Sequence, residues 1–233
     1  MLGAIDAYAA RASLSWERTG VFLVRGRASL DGGNLLAEGR FAVWGDAGQG
    51  LVRGDFCGPD GRPAVSIRGD STGMTVYYPR DGEAWFFEEG LPMGRGSLSV
   101  GDLLFFLRTG FPVRLQQAEI VNGCDVDDGE ACWLFLAGGD TVQTTLRSGL
   151  FPEFTQWPGG RAEVAGSTPV DEWRAWPGGW RIETGSSRIR AEVSSVEEPS
   201  EAPPAVWNLE VPVNIDTLDA LPRVEPAWDI QVR

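Results

Sequence analysis

The sequence contains no histidine and no lysine; all twenty of its basic residues are arginine. That double absence removes much of enzyme chemistry. Ser-His-Asp and Cys-His nucleophile activation, Ser-Lys dyads, Schiff bases, histidine-bound metals and the phosphate-gripping lysine of nucleotide loops each need a side chain that is missing. Carboxylate, tyrosine and arginine chemistry remain. Long apolar runs are missing as well. No stretch approaches the roughly 18 to 20 continuous apolar residues of a membrane-spanning helix, and the N-terminus lacks a basic-then-apolar leader. The chain therefore reads as soluble, with a leader or lipid anchor either never present or already cut away. Positive charge is scarce: a formal net charge of −13 and a pI near 4.5 repel phosphate backbones and anionic lipid surfaces, so nucleic acid is not an expected partner.

Cysteine is sparse, at three residues. Cys124 and Cys132 flank the acidic turn "CDVDDGEAC", so a hairpin would bring them opposite one another and permit a disulfide in an oxidising compartment. Two unpaired small residues at strand ends fit the same pattern. Cys57 is left over as a free, buried thiol.

What the chain does have is glycine, proline and ten tryptophans in 233 residues, a mixture that favours β structure with many turns. Its length is enough to close a substantial core. With no fixed-period repeat and no shift in composition, one domain over residues 1–233 is expected, carrying a polar, Pro-rich loop at 197–204 and a C-terminal extension at 213–233.

The opening "LGAIDAYAARASLSW" places Leu2, Ile5, Ala9 and Ala12 near one helical stripe. The period then changes to two. "GVFLVRGRASL" sets Phe22, Val24, Ala28 and Leu30 against Arg25 and Arg27. "NLLAEGRFAVWGD" follows, with Phe41 and Val43 on the opposite side from Ala42 and Trp44 and both sides apolar. Two strand pairs come next, around "GPDG" and "PRDG" turns. Val52 and Phe56 match Val65 and Ile67; Met74, Val76 and Tyr78 precede Trp85 and Phe87. Six strands joined by tight turns make an antiparallel meander, which must curl. The stretch "SVGDLLFFLRTGFPV" interrupts it as a short helix. Ser99 and Asp102 form a capping box, Gly110 suits a left-handed C-terminal residue, and Pro112 forbids continuation. Leu103 to Leu107 make it apolar nearly all round, so it must lie against something. Strand signals resume in "RLQQAEIVNG", "ACWLFLAGG" and "TVQTTLRSG". A Trp-, Pro- and Gly-rich patch from Phe151 to Gly179 is harder to read, and "WRIETG", "SRIRAEVSSV" and "AVWNLEVP" close the chain.

The segments "VRGRASL", "GRFAVWG", "GPDGRPAVSIRG", "GMTVYYPRDGEAW" and "DLLFFLRTGFPV", followed by the tail "WRIETGSSRIRAEVSSV…VWNLEVP", resemble in order and spacing the LolA/LolB superfamily of bacterial lipoprotein carriers. The LolB-like branch is the most similar, over roughly residues 1–215. The resemblance implies a mainly β fold: an open, curved antiparallel half-barrel whose concave face is covered by short helices, enclosing an apolar cavity. Phe22, Val24, Val52, Phe56, Val65 and Ile67 would line that cavity from the first four strands. Met74, Val76, Trp85 and Phe87 would continue it, and Leu104, Phe105 and Leu107 would close it from the helix. The same side chains would serve equally as packed core. The implied ligands are lipoprotein acyl chains or phospholipid, with no cofactor and no metal. The implied place is the bacterial periplasm or the inner face of the outer membrane, with an envelope carrier or assembly protein as partner. One residue departs from the pattern: in LolB proteins the turn matching "GPDG" carries an exposed apolar residue that engages the membrane, and here that position is Asp60.

Catalysis has little to rest on. Glu88 and Glu89 are adjacent on a strand and point to opposite faces, and Asp125, Asp127, Asp128 and Glu130 lack the ligand spacing of a calcium loop and read as a solvated hairpin tip. The chain is not expected to be an enzyme. A non-catalytic alternative is a β module for glycan or an envelope-assembly partner, its repeated Trp-Pro-Gly-Gly phrase exposing Trp157, Trp173, Trp176 and Trp180.

Overall fold

The computed structural model describes residues 12–32, 35–88, 90–93, 96–110, 119–124, 131–137, 140–146, 151–157, 159–170, 174–185 and 187–211. Residues 12–17 are helical (α1); the rest of the expected first helix and the extension at 213–233 lie outside the described residues. The meander follows as β1 (Val21–Gly32), β2 (Leu35–Asp46), β3 (Leu51–Cys57), β4 (Pro63–Asp70), β5 (Gly73–Tyr78) and β6 (Glu83–Phe87). A small hairpin, β7 (Leu91–Met93) with β8 (Gly96–Leu98), leads into α2 (Val100–Thr109). Beyond it come β9 (Glu119–Cys124), β10 (Ala131–Ala137), β11 (Asp140–Leu146), β12 (Phe154–Trp157) and β13 (Gly160–Val164). A second hairpin, β14 (Ser167–Pro169) with β15 (Ala175–Pro177), precedes β16 (Gly179–Thr184) and β17 (Ser187–Glu197).

The strands join in a 13-stranded sheet, ordered β6-β5-β4-β3-β2-β1-β17-β16-β13-β12-β11-β10-β9. Each neighbouring pair is antiparallel, and β1 against β17 joins the first half of the chain to the last. The register shifts between Arg25 and Gly26, where a side chain on Gly26 would stand 2.0 Å from the Glu192 carbonyl oxygen. Glycine lets the two backbones close in and the long central strands bend.

The curvature is legible from α2. At its start the Val100 side chain lies over Gly69 of β4, and just past its end Gly110 lies against Val164 of β13. Those strands are separated by six steps of the sheet order, which on a flat sheet is about 29 Å at ~4.8 Å per step. Ten helical residues span only about 15 Å. The sheet therefore wraps around the helix, an open half-barrel with α2 in its hollow. The two ends of the sheet, β6 and β9, do not pair among the described residues.

The core fills that hollow: Phe22, Val24, Val52 and Met74 from the sheet, Leu104, Phe105 and Phe106 from α2, and Trp157, Trp176 and Trp180 from the later strands. The opposite face carries charge instead, with Arg161–Glu183, Arg181–Glu163 and Arg190–Glu192 as exposed ion pairs. The C-terminal segment differs from expectation. The described part of "AVWNLEVP" is not a strand; Pro204–Trp207 form a 3-10 turn and residues 208–211 are irregular. Pro203 and Pro204 fix the backbone and remove hydrogen-bond donors there, and β1 already has both of its neighbours.

Candidate functional site

Strand register places the candidate sheet residues on one face. Phe22 pairs with Gly45, Gly45 with Val52, Val52 with Gly69, Gly69 with Met74 and Met74 with Phe87, which makes a row across the concave surface. The next row runs Val24, Val43, Gly54, Ile67, Val76, Trp85. A third runs Gly26, Phe41, Phe56, Val65. Alternation along each strand puts all three rows on the same side. Phe41 and Val43, whose facing the sequence left open, belong to this side.

Burial falls from row to row. Phe22, Val52 and Met74 of the first row are 0% exposed beneath α2, while Phe87 at the β6 end of that row is half-buried. An added side chain on Gly45 would stand 2.2 Å from the Phe22 ring and 2.7 Å from Leu104, so glycine there lets the helix seat. In the second row Val24 and Val76 are buried while Val43, Ile67 and Trp85 are half-buried, and in the third Phe41, Phe56 and Val65 are all half-buried. The result is an apolar trough, sealed at the end under α2 and accessible beyond it.

The helix forms where its caps predicted. Ser99 accepts a hydrogen bond from the Asp102 backbone at 3.2 Å, and the Ser99 hydroxyl donates to the Asp102 carboxylate. Gly110 takes the left-handed conformation, φ 71°, with its N–H donating to the Phe106 carbonyl. Each part of the apolar run has a separate contact. Leu104 faces Gly45 and Phe22, Phe105 meets Trp16 of α1 edge-on at 5.6 Å, Phe106 meets Trp180 at 6.3 Å, and Leu107 packs half-buried at the margin. The helix is sandwiched between the sheet and α1.

One charge is buried with it. Arg108, 5% exposed, donates to the Thr19 hydroxyl at 3.1 Å and the Ala175 carbonyl at 2.7 Å, and lies 4.7 Å over the Trp176 ring. Burial pushes its basicity down, Glu198 opposes this, and Arg174 adds to the lowering. Trp176 in turn donates to Glu198 at 2.8 Å, and Arg174 pairs with the same carboxylate. This polar knot pins the end of α2 to β15. The sequence pattern gave no signal for it, since Arg108 reads as an ordinary basic residue in a last helical turn.

The tryptophans are not displayed. Trp157, Trp176 and Trp180 are 8%, 0% and 3% exposed, so the Trp-Pro-Gly-Gly phrases turn strands while their aromatics face inward. Trp173 lies outside the described residues. A hollow of about 690 Å³ does open on the opposite face, among Arg27, Arg40, Arg190, Glu38, Glu192 and the turn at 58–61. Its charged walls do not suit hydrocarbon. Asp60 at that turn is exposed. It pairs with Arg80 at 2.9 Å, and the Arg62 backbone N–H, followed by Arg80, holds its carboxyl below the usual range. Cys57 is free and only half-buried, not buried as expected; desolvation first, then Asp55 and Asp60, push its thiol up. Cys124 and Cys132 stand opposite one another in the β9–β10 register, and the acidic loop between them lies outside the described residues.

No known family's sequence profile matches the chain, and no curated protein matches it in sequence. Solved structures do match it in fold. A DUF1329-family protein from Desulfovibrio piger superposes with a TM-score of 0.60 at 12% identity, over 87% of this chain and 96% of that one. A LolA-superfamily protein from Nitrosomonas europaea gives 0.57 at 12% identity, over 88% and 97%. A domain named for outer-membrane lipoprotein sorting from Vibrio parahaemolyticus gives 0.55 at 9% identity, over 86% and 95%. The chain thus has the fold of LolA-superfamily structures.

Proposed function

We propose that this protein binds an acyl chain of a lipoprotein or phospholipid in the trough, and carries or receives it in the bacterial envelope, in the periplasm or at the inner face of the outer membrane. The observation that carries the proposal is the burial gradient: three registered rows of apolar side chains, closed under α2 and only half-buried at Phe41, Phe56, Val65 and Ile67. An apolar strip that its neighbours leave incompletely covered is the expected lining of a ligand groove. The fold shared with proteins named for the LolA superfamily and for lipoprotein sorting supports the same choice. Burying methylenes is worth about 0.8 kcal/mol each, so a sixteen-carbon chain gains on the order of 12 kcal/mol before opening and ordering are subtracted. A carrier must offset most of that gain to release its load, and displacement of the pinned α2 is the offset. Asp60, charged and exposed, resists insertion into lipid, so delivery runs through a partner protein rather than by the LolB route.

The experiment is extraction of the purified protein into organic solvent, followed by mass spectrometry and by displacement of a fluorescent fatty-acid probe. Bound acyl lipid, and loss of probe binding in Ile67→Arg, are the expected results. A clean extract together with a probe that never binds would sink the proposal.

A further inference from the structure

Among the described residues, two donors buried in the hollow have no acceptor. The indole nitrogens of Trp157 and Trp180 are sealed from solvent and make no hydrogen bond, in side chains only 8% and 3% exposed. A buried indole N–H ordinarily finds a partner, since an unmade bond forfeits its hydration for nothing. Both residues root on the concave face, Trp157 opposite Gly160 and Trp180 opposite Val164. The Trp157 ring carbon that bears the nitrogen lies 2.8 Å from where a Gly160 side chain would begin, so glycine makes room for the donor on the floor. Trp180 faces Phe106 of α2, so lifting the helix uncovers it. Thr155, two residues before Trp157 on the same face, is buried and shares a 2.9 Å hydrogen bond with Thr144, whose hydroxyl also reaches the Phe154 carbonyl at 3.0 Å.

We propose that Trp157 and Trp180 donate their indole N–H groups to the carbonyl oxygens of an acyl ester or amide held beneath α2, so that the site selects acylated lipids over plain hydrocarbon. This rests on the acyl-binding function proposed above. A neutral acceptor fits better than a carboxylate, because indole donors do not neutralise a buried anion and the nearby Arg108 is already committed to Thr19 and Ala175.

The test compares matched lipids that differ only in the carbonyl: dipalmitoyl phosphatidylglycerol against its di-O-hexadecyl ether, and a palmitoylated lipopeptide against its ether-linked counterpart. Each competes for the fluorescent fatty-acid probe. The ester should bind about five- to tenfold more tightly, the return of a satisfied buried donor, in whichever lipid series is the cargo. Trp157→Phe and Trp180→Phe should bring the ester-to-ether ratio towards one. Site-specific 3-benzothienylalanine, which keeps the ring shape and lacks the N–H, should do the same if the phenylalanine variants fold poorly. Equal affinity for ester and ether in the unaltered protein, or a ratio that survives loss of both N–H groups, overturns this inference alone. Failure of the probe and of every lipid to bind overturns acyl binding itself.

Discussion

Arg108 shows how one side chain holds a helix in place. Its guanidinium satisfies the Ala175 carbonyl and the Thr19 hydroxyl while stacking on Trp176. Replacement by methionine keeps the stem and removes every donor. We expect Arg108→Met to lower unfolding stability by about 1–3 kcal/mol, the usual cost of stranding buried acceptors, as measured by urea titration. Arg108→Lys should recover little, because an ammonium lacks the planar fork that reaches both partners and stacks on the ring. Asp60 makes a different residue-scale point. Exposed at the tip of its turn and kept ionised by Arg62 and Arg80, it opposes contact with lipid. In vesicle co-sedimentation with phosphatidylethanolamine and phosphatidylglycerol, Asp60→Leu should pellet with the membranes while the unaltered protein stays in solution. Little of this chemistry was legible beforehand. Sequence periodicity says which way a tryptophan or arginine faces, but whether an indole N–H finds an acceptor depends on atoms contributed by other strands.

At the scale of elements, α2 and the glycines beneath it form one device. Gly45→Ala places a methyl group 2.2 Å from the Phe22 ring. That ring is fully buried and packed against Trp176 at 4.7 Å, so it cannot step aside. We expect a loss of about 1–3 kcal/mol by thermal unfolding, the range for overpacking a close-packed site, with faster uptake of the fluorescent probe as the helix seats less firmly. The six-strand meander and α2 were readable in the sequence because each strand alternates cleanly and each is bounded by turn chemistry, such as Gly61 at φ 74° and Gly82 at φ 70°. The stretch from Phe151 to Gly179 was not. Its strands β12 to β15 run only three to five residues, too short for a period to emerge from among prolines and glycines. The expected last strand failed for a related reason: alternation in "AVWNLEVP" looked right, and the prolines before it overrode the pattern.

The whole molecule carries a formal charge of −13, which sets two pH effects against each other. Self-repulsion relaxes as pH falls towards the pI near 4.5. Against this, particular carboxylates sit below their ordinary values: Asp60 chiefly through the Arg62 backbone, Asp70 through the Thr72 hydroxyl, Glu183 through the Arg161 side chain. A folded-state value below the unfolded one contributes stability that is present above about pH 4 and lost as pH falls through the lowered values. Calorimetric scans at constant ionic strength should therefore show Tm rising modestly from pH 8 to about 5.5 and dropping below about pH 4.

Because β6 and β9 never meet among the described residues, this sheet has no seam. A closed barrel has its girth fixed by strand count and stagger, whereas an unfastened one can splay by small changes of twist spread over every ladder, breaking no backbone hydrogen bond. Gape then becomes adjustable, and under the proposed acyl binding a single vessel would accommodate passengers of unequal bulk.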